Sequence, residues 1–296
     1  MSGKLKETRN RIKSVSSTQQ ITKAMKMVSA AKLRRAQERI VQMRPYSKKL
    51  NEIAANIVSA AEGDVKIKLA TVREVKNVLV VVVTSDRGLA GAFNINIIKA
   101  ALALIKEKYS AQAASGNLSI LAIGKKGMEY FKKRNYNVIS DYSTLLSNLT
   151  FDNSTTAADF VMKGFEEGKF DEVYIAYSQF KNAASQFFTA EQFLPVPKAE
   201  KSQDAPKSKA DFIFEPDKEQ IVDFLIPKIL KTQFFKVLLD VNASEHGARM
   251  TAMDKASENA NELIKALRIA YNGARQAAIT TELTEIVSGA NALAEG

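Results

Sequence analysis

Chemistry in a protein is carried by imidazoles, thiols, paired carboxylates and phosphate-cradling glycines, and this chain is poor in all of them. Among its 296 residues it has one histidine, His246, and no cysteine. Without thiols it can form no disulfide, hold no thiolate zinc and offer no cysteine nucleophile. One imidazole gives no nucleophile–base–orienter set. His246 falls on a helical apolar stripe, where packing is the ordinary use of the side chain. Glu166 and Glu167 are adjacent on a helix face and read as solvated surface. Two glycine turns invite a phosphate-binding reading. Residues 88–94 (GLAGAFN) follow a strand but lack G-x-G-x-x-G, and no G-x-x-x-x-G-K-[ST] occurs. Gly124, Lys125, Lys126 and Gly127 bring two lysines to a helix start without a cradle. Both read as tight strand–helix turns in which glycine supplies a positive φ. The chain is expected to catalyse nothing by itself, with no cofactor and no metal.

What the chain does carry is charge in one place. The net charge is +11. Residues 1–50 hold fourteen basic and two acidic side chains, so the other 246 residues are nearly neutral. A localised basic field attracts an acidic partner: nucleic acid, anionic lipid or an acidic protein loop. A basic coiled-coil protein that binds nucleic acid is therefore the rival reading. Against it, residues 1–45 contain no aromatic for base stacking, and no zinc, RNA-recognition or basic-zipper signature occurs. A transit peptide is also rich in Arg and Ser, but the helical pattern runs past residue 50 with no cleavage-like break. No stretch approaches the roughly 18 apolar residues of a membrane span, and residues 1–13 have no signal-peptide core.

The elements that position these side chains are two long helices and a sheet. From His246 the residues Met250, Met253, Ser257, Ala260, Ile264, Leu267, Tyr271, Ala274 and Ala278 step by four and three. That is a heptad seam, the mark of a helix wound on another helix. Its small residues let a partner backbone come close, and the last fifty residues as one helix would span on the order of 70 Å. Residues 4–61 read as the partner. Leu33, Ala36, Ile40, Met43, Ser47, Leu50, Ala54, Ile57 and Ala61 keep the spacing. Ile21, Met25 and Val28 keep it upstream, with a phase slip before Leu33. Pro45 predicts a kink. Between the helices, residues 78–83 (VLVVVV), 118–123 (LSILAI) and 173–178 (VYIAYS) predict buried strands, and residues 186–194 an antiparallel neighbour. Helices are predicted at 95–108, from Gly124 to Lys133, and at 154–167. The fold class is α/β: a long antiparallel coiled coil of the terminal helices plus a small Rossmann-like domain. The expected division is 1–61, 75–195, a polar linker at 196–211, and 212–296, where helix resumes near Pro216 and bends near Pro227. Residues 286–293 (IVSGANAL) carry no charge and predict a tip that enters an apolar cavity.

The runs ITKAMKMVSAAK at 21–32, ARMTAM at 248–253 and YNGARQAAITTELTEIVSGA at 271–290 resemble the signatures of the gamma subunit of F-type ATP synthase. SDRGLAGAFN at 85–94 and FEPD at 214–217 also match. The likeness spans the chain. The departures are Gly273 where the family usually has lysine, Ala92 for a second glycine, and the hydrophilic stretch 198–210, which looks like an insertion. Gly273 is expected to cost about 1 kcal/mol of helix stability.

The resemblance implies a rotor shaft without catalysis of its own. It would couple ion flow through a membrane c ring to ATP synthesis or hydrolysis in a ring of alpha and beta subunits. It implies one copy per complex, partners in the alpha, beta and epsilon subunits and the c ring, and no nucleic acid. It implies attachment to the membrane through the complex, at the cytoplasmic face of a bacterial inner membrane or the mitochondrial matrix face. By the same carry-over, Met25 with Lys23 and Lys26 meets an acidic loop of beta, and Arg249 is coupled to that region. Arg275, Gln276, Thr280 and Glu282 hydrogen-bond catch loops of the ring, and Phe214 and Glu215 belong to the foot on epsilon and the c ring.

Overall fold

The computed structural model describes residues 2–60, 68–183, 185–196 and 218–294. The two helices expected at the ends are present. Helix α1 covers Ser2–Ala60 and passes through Pro45 without interruption. At the other end Lys218–Ala294 forms α6, which passes through Pro227. Between them lie β1 (Val78–Val83), α2 (Phe93–Lys108), α3 (Ser110–Ala114), β2 (Leu118–Ile123), α4 (Lys125–Lys132), β3 (Asn137–Ile139), α5 (Phe151–Glu166), β4 (Glu172–Phe180) and β5 (Gln186–Leu194). Phe214, Glu215 and the 198–210 stretch lie outside the described residues, as do Ala61 and the side chains of Ser47, Ala54 and Ile57.

The chain divides into two compact units, and the division cuts both long helices. One unit joins residues 1–29 to residues 250–296; the other is residues 30–249.

The first unit is a pair of antiparallel helices. Thr22 meets Ser257 and Lys26 meets Asp254, so numbers rise along one helix as they fall along the other. The inward face of α6 is the heptad seam expected from its sequence: Met253, Ser257, Ala260 and Ile264 are buried, and Leu267, Tyr271, Ala274 and Ala278 half-buried. The inward face of α1 differs from expectation. Thr22 and Ser29 are buried, with Leu5, Thr8, Ile12, Val15, Gln19 and Lys26 half-buried. Those positions form two sets seven apart that run without a slip to Leu33, Ala36 and Ile40. The expected slip came from placing Ile21 and Val28 inside; they are 60% and 57% exposed. Small hydroxyl residues hold the seam, and one of them, Thr22, bonds across it to Ser257.

The second unit is built on a five-stranded sheet in the order β3-β2-β1-β4-β5, parallel except for β5 against β4. Every residue of β1 is buried, as a central strand covered on both faces requires. Helix α2 lies on β1, β4 and β5, α4 on β2 and β3, and α5 on β4. The α6 segment of this unit sets Phe234 against Phe193 of β5 and Phe235 against Phe151 of α5. Helix α5 starts three residues earlier than expected because the Thr150 side chain accepts from the Asn153 amide and caps it. Gly124 has φ 96°, as expected, and a Cβ there would stand 2.0 Å from the Thr84 carbonyl oxygen. In the other turn the left-handed positions are Leu89 and Gly91.

Candidate coupling surface

In the helix pair the outward side chains matter, because the inward ones are spent on the seam. Lys23 is exposed and Met25 half-buried. Lys26 lays its stem along the seam and ends 2.5 Å from the Asp254 carboxylate. Both partners are more than a third exposed, so solvent screens the pair and it contributes a fraction of a kcal/mol. Its consequence is for charge: the Lys26 ammonium is answered inside the chain, and Lys23 presents its charge outward. Ile21, Met27 and Val28 add exposed apolar surface to the same stretch of α1.

Across this stretch the Thr22 and Ser257 hydroxyls share a buried hydrogen bond of 2.7 Å; one donates across the seam, and the other is left to donate to a carbonyl of its own helix, at Gln19 or Met253. Hydroxyls that bond both within and across helices fix the register of a small-residue seam, which apolar contact alone does weakly.

Further along α6, Arg275, Gln276, Thr280 and Glu282 are all exposed. Beyond them Leu283, Ile286, Val287 and Leu293 are exposed too, with Glu285 the one charged side chain from 283 to 293. Free in water this apolar end is unfavourable, and it is the kind of surface that marks an interaction site.

Arg249 sits in the other unit and is buried. Its guanidinium lies 2.5 Å from Glu245, one helical turn earlier, with both side chains 11% exposed. The same guanidinium donates to the carbonyl oxygens of Arg87 and Gly88 at 3.1 and 3.3 Å. Burial pushes the Glu245 carboxyl up, and Arg249 pulls it back. His246 beside them is pushed down to about 4, by burial first and then by Arg249 and Lys32. Its Nδ1 is buried without a hydrogen-bond partner. It is a neutral packing side chain, as its place on the stripe suggested. Glu245 was not singled out from the sequence, although its spacing four residues before Arg249 is the signal of a helical ion pair. Asp254, Thr22 and Ser257 gave no such signal, since their partners are more than two hundred residues away.

Among the described residues no cluster of three or more His, Asp or Glu side chains could hold a metal ion, and no helix is long and apolar enough to cross a membrane.

A family model described as ATP synthase matches residues 4–293. The chain is 56% identical over 290 residues to the ATP synthase gamma chain of Cytophaga hutchinsonii, covering 98% of each. It is 48% identical over 289 residues to that of Chlorobaculum tepidum, again covering 98% of each. Its fold is similar to a chain in the Euglena gracilis mitochondrial ATP synthase (OSCP/F1/c-ring, rotational state 3), with TM-score 0.69, 21% identity and coverage of 99% and 95%. It is also similar to one in the Tetrahymena thermophila central stalk/c-ring, with TM-score 0.55, 24% identity and coverage of 80% and 99%.

Proposed function

The chain belongs to the ATP synthase gamma-chain family, and from that premise we propose how its parts divide the work of coupling. As a family member it is a non-catalytic subunit of the central stalk, peripheral to the membrane, while catalysis lies in the beta subunits. The absence of a phosphate loop from its sequence agrees with that division. The nucleic-acid reading has no support: its basic helix is one strand of an in-chain helix pair.

The observation that carries the reading is the helix pair of residues 1–29 and 250–296. Its seam is small and hydroxyl-bonded, and its exposed end is apolar. We infer that its outward surface works by shape. Lys23 and Met25, with Ile21 and Val28 beside them, form the contact to an acidic loop of a beta subunit. Lys26 contributes less to it than Lys23, being paired with Asp254. Arg275, Gln276, Thr280 and Glu282 form the catch to the alpha/beta ring. The apolar tip turns in an apolar collar, where no fixed ion pair has to break on each rotation. Arg249 acts indirectly, by holding α6 to the α/β unit. Phe214 and Glu215 belong to the foot on epsilon and the c ring, with 198–210 a solvated insertion in the 196–211 linker. The complex is placed on the cytoplasmic face of a bacterial inner membrane, one copy of this chain in each.

The catch is tested by replacing Arg275 and Gln276 together with alanine in the reconstituted complex. The coupled ATPase rate is expected to fall at least tenfold. An unchanged rate would remove these residues from the catch.

A further inference from the structure

Sheets of this topology take ligands in a defined place. The chain runs outward from β1 to β2 to β3 and then returns to the other side of β1 as β4. Where the order reverses, the loops beyond the carboxyl ends of the strands part and leave a crevice, and ligands of open α/β sheets bind there. Here that place lies between the loop after β1 (residues 84–92) and the end of β4 with its loop to β5.

The crevice is filled by residues 244–249 of α6. Ser244 is fully buried, and its hydroxyl donates to the Ser178 carbonyl near the end of β4 at 3.4 Å. Its own carbonyl accepts from Gln186 Nε2 at 3.0 Å. One turn on, a Cβ at Gly247 would stand 3.3 Å from both Cα and O of Ala183, a contact so close that adding one would need a shift of only a few tenths of an ångström. Arg249 completes the contact on the β1 side through the Arg87 and Gly88 carbonyls. The polarity of that loop decides against an anion. A phosphate site turns backbone N–H groups toward its ligand, whereas this loop turns two carbonyl oxygens toward a guanidinium, which Glu245 holds from behind.

We propose that residues 244–249 are the resident ligand of this sheet's crevice, so that the α/β unit is a bracket fixed on the C-terminal helix and not a site for a nucleotide or phosphate. The proposal stands on contacts within residues 30–249 and does not require the rotary reading. It explains why a sheet with a nucleotide-binding topology lacks the glycine pattern of such sites: the occupant is a helix, which needs shape and carbonyl acceptors.

The test uses hydrogen exchange on the full chain. Arg249→Gln is expected to raise exchange at least tenfold in residues 84–92 and in residues 244–249, while β2 and α4 keep their protection. Millimolar ATP or inorganic phosphate is expected to protect none of these amides in the native chain. A second variant serves if Arg249→Gln unfolds the unit. Because the chain has no cysteine, Ala183→Cys with Gly247→Cys gives a single possible disulfide, expected to close nearly completely under mild oxidation without urea. Unchanged exchange in Arg249→Gln, protection of the loop by ATP or phosphate, or two thiols that stay open would each overturn the proposal.

Discussion

The side chains that carry most information here are those whose burial is at odds with their charge. Glu245 and Arg249 are an ion pair removed from water, and such pairs are costly to break from one side. Arg249→Gln leaves a buried carboxylate without its ion-pair partner and is expected to destabilise the α/β unit by about 3 kcal/mol, measured as a lower urea midpoint. His246 gives a pH signature. Its folded imidazole takes a proton only near pH 4, whereas unfolded it does so near 6.5. Between those values the unfolded state binds more protons, so this contribution is full above pH 6.5 and falls away toward pH 4, by on the order of 3 kcal/mol. Glu245, held up by burial, acts in the opposite sense: its folded carboxyl takes its proton first as pH falls, which offsets part of the loss. His246→Leu is expected to flatten the acid limb of the stability profile between pH 4 and 6.5. A limb of unchanged slope would show that other groups set it.

At the scale of elements, the two helices of the terminal pair differ in how legible they were. The α6 seam could be read because its apolar side chains face inward and the small ones between them keep the heptad. The α1 seam could not, because there the pattern is inverted. Thr22 and Ser29 face the partner, and Ile21, Met27 and Val28 face out. Periodicity finds the apolar stripe, and in this stretch the stripe points away from the seam. Strand β3 was missed for a related reason, being three residues long with none of them buried. The continuous runs of β1 and β2 were plain because burial on both faces leaves little room for polar residues. Ala260→Leu would force a branched side chain into a buried position of the seam. A cost of about 1–3 kcal/mol is expected, read as earlier thermal unfolding of the helix pair. Gly273→Ala should do the reverse. Nothing lies within 4 Å of where its Cβ would be, so the added methyl meets no neighbour and the helix gains about 1 kcal/mol, read as slower amide exchange in residues 269–277. If exchange there were unchanged, glycine is not what softens α6 at this point.

For the molecule as a whole, the candidate site was legible only through likeness to a family. No catalytic geometry announces it, because the residues proposed for it, such as Lys23, Met25, Arg275 and Gln276, are ordinary surface side chains. Composition excluded thiol chemistry, and the clustered positive charge pointed to an acidic partner without saying which. On the proposed reading, the paired terminal helices transmit torque while the chemistry belongs to other subunits. The most direct measurement attaches an optical probe to the α/β unit of this chain in a complex reconstituted with alpha and beta subunits fixed to a surface. The account predicts one-directional rotation of the probe on addition of ATP, and no hydrolysis by this chain alone. Steady ATP hydrolysis by the complex with the probe stationary would contradict it.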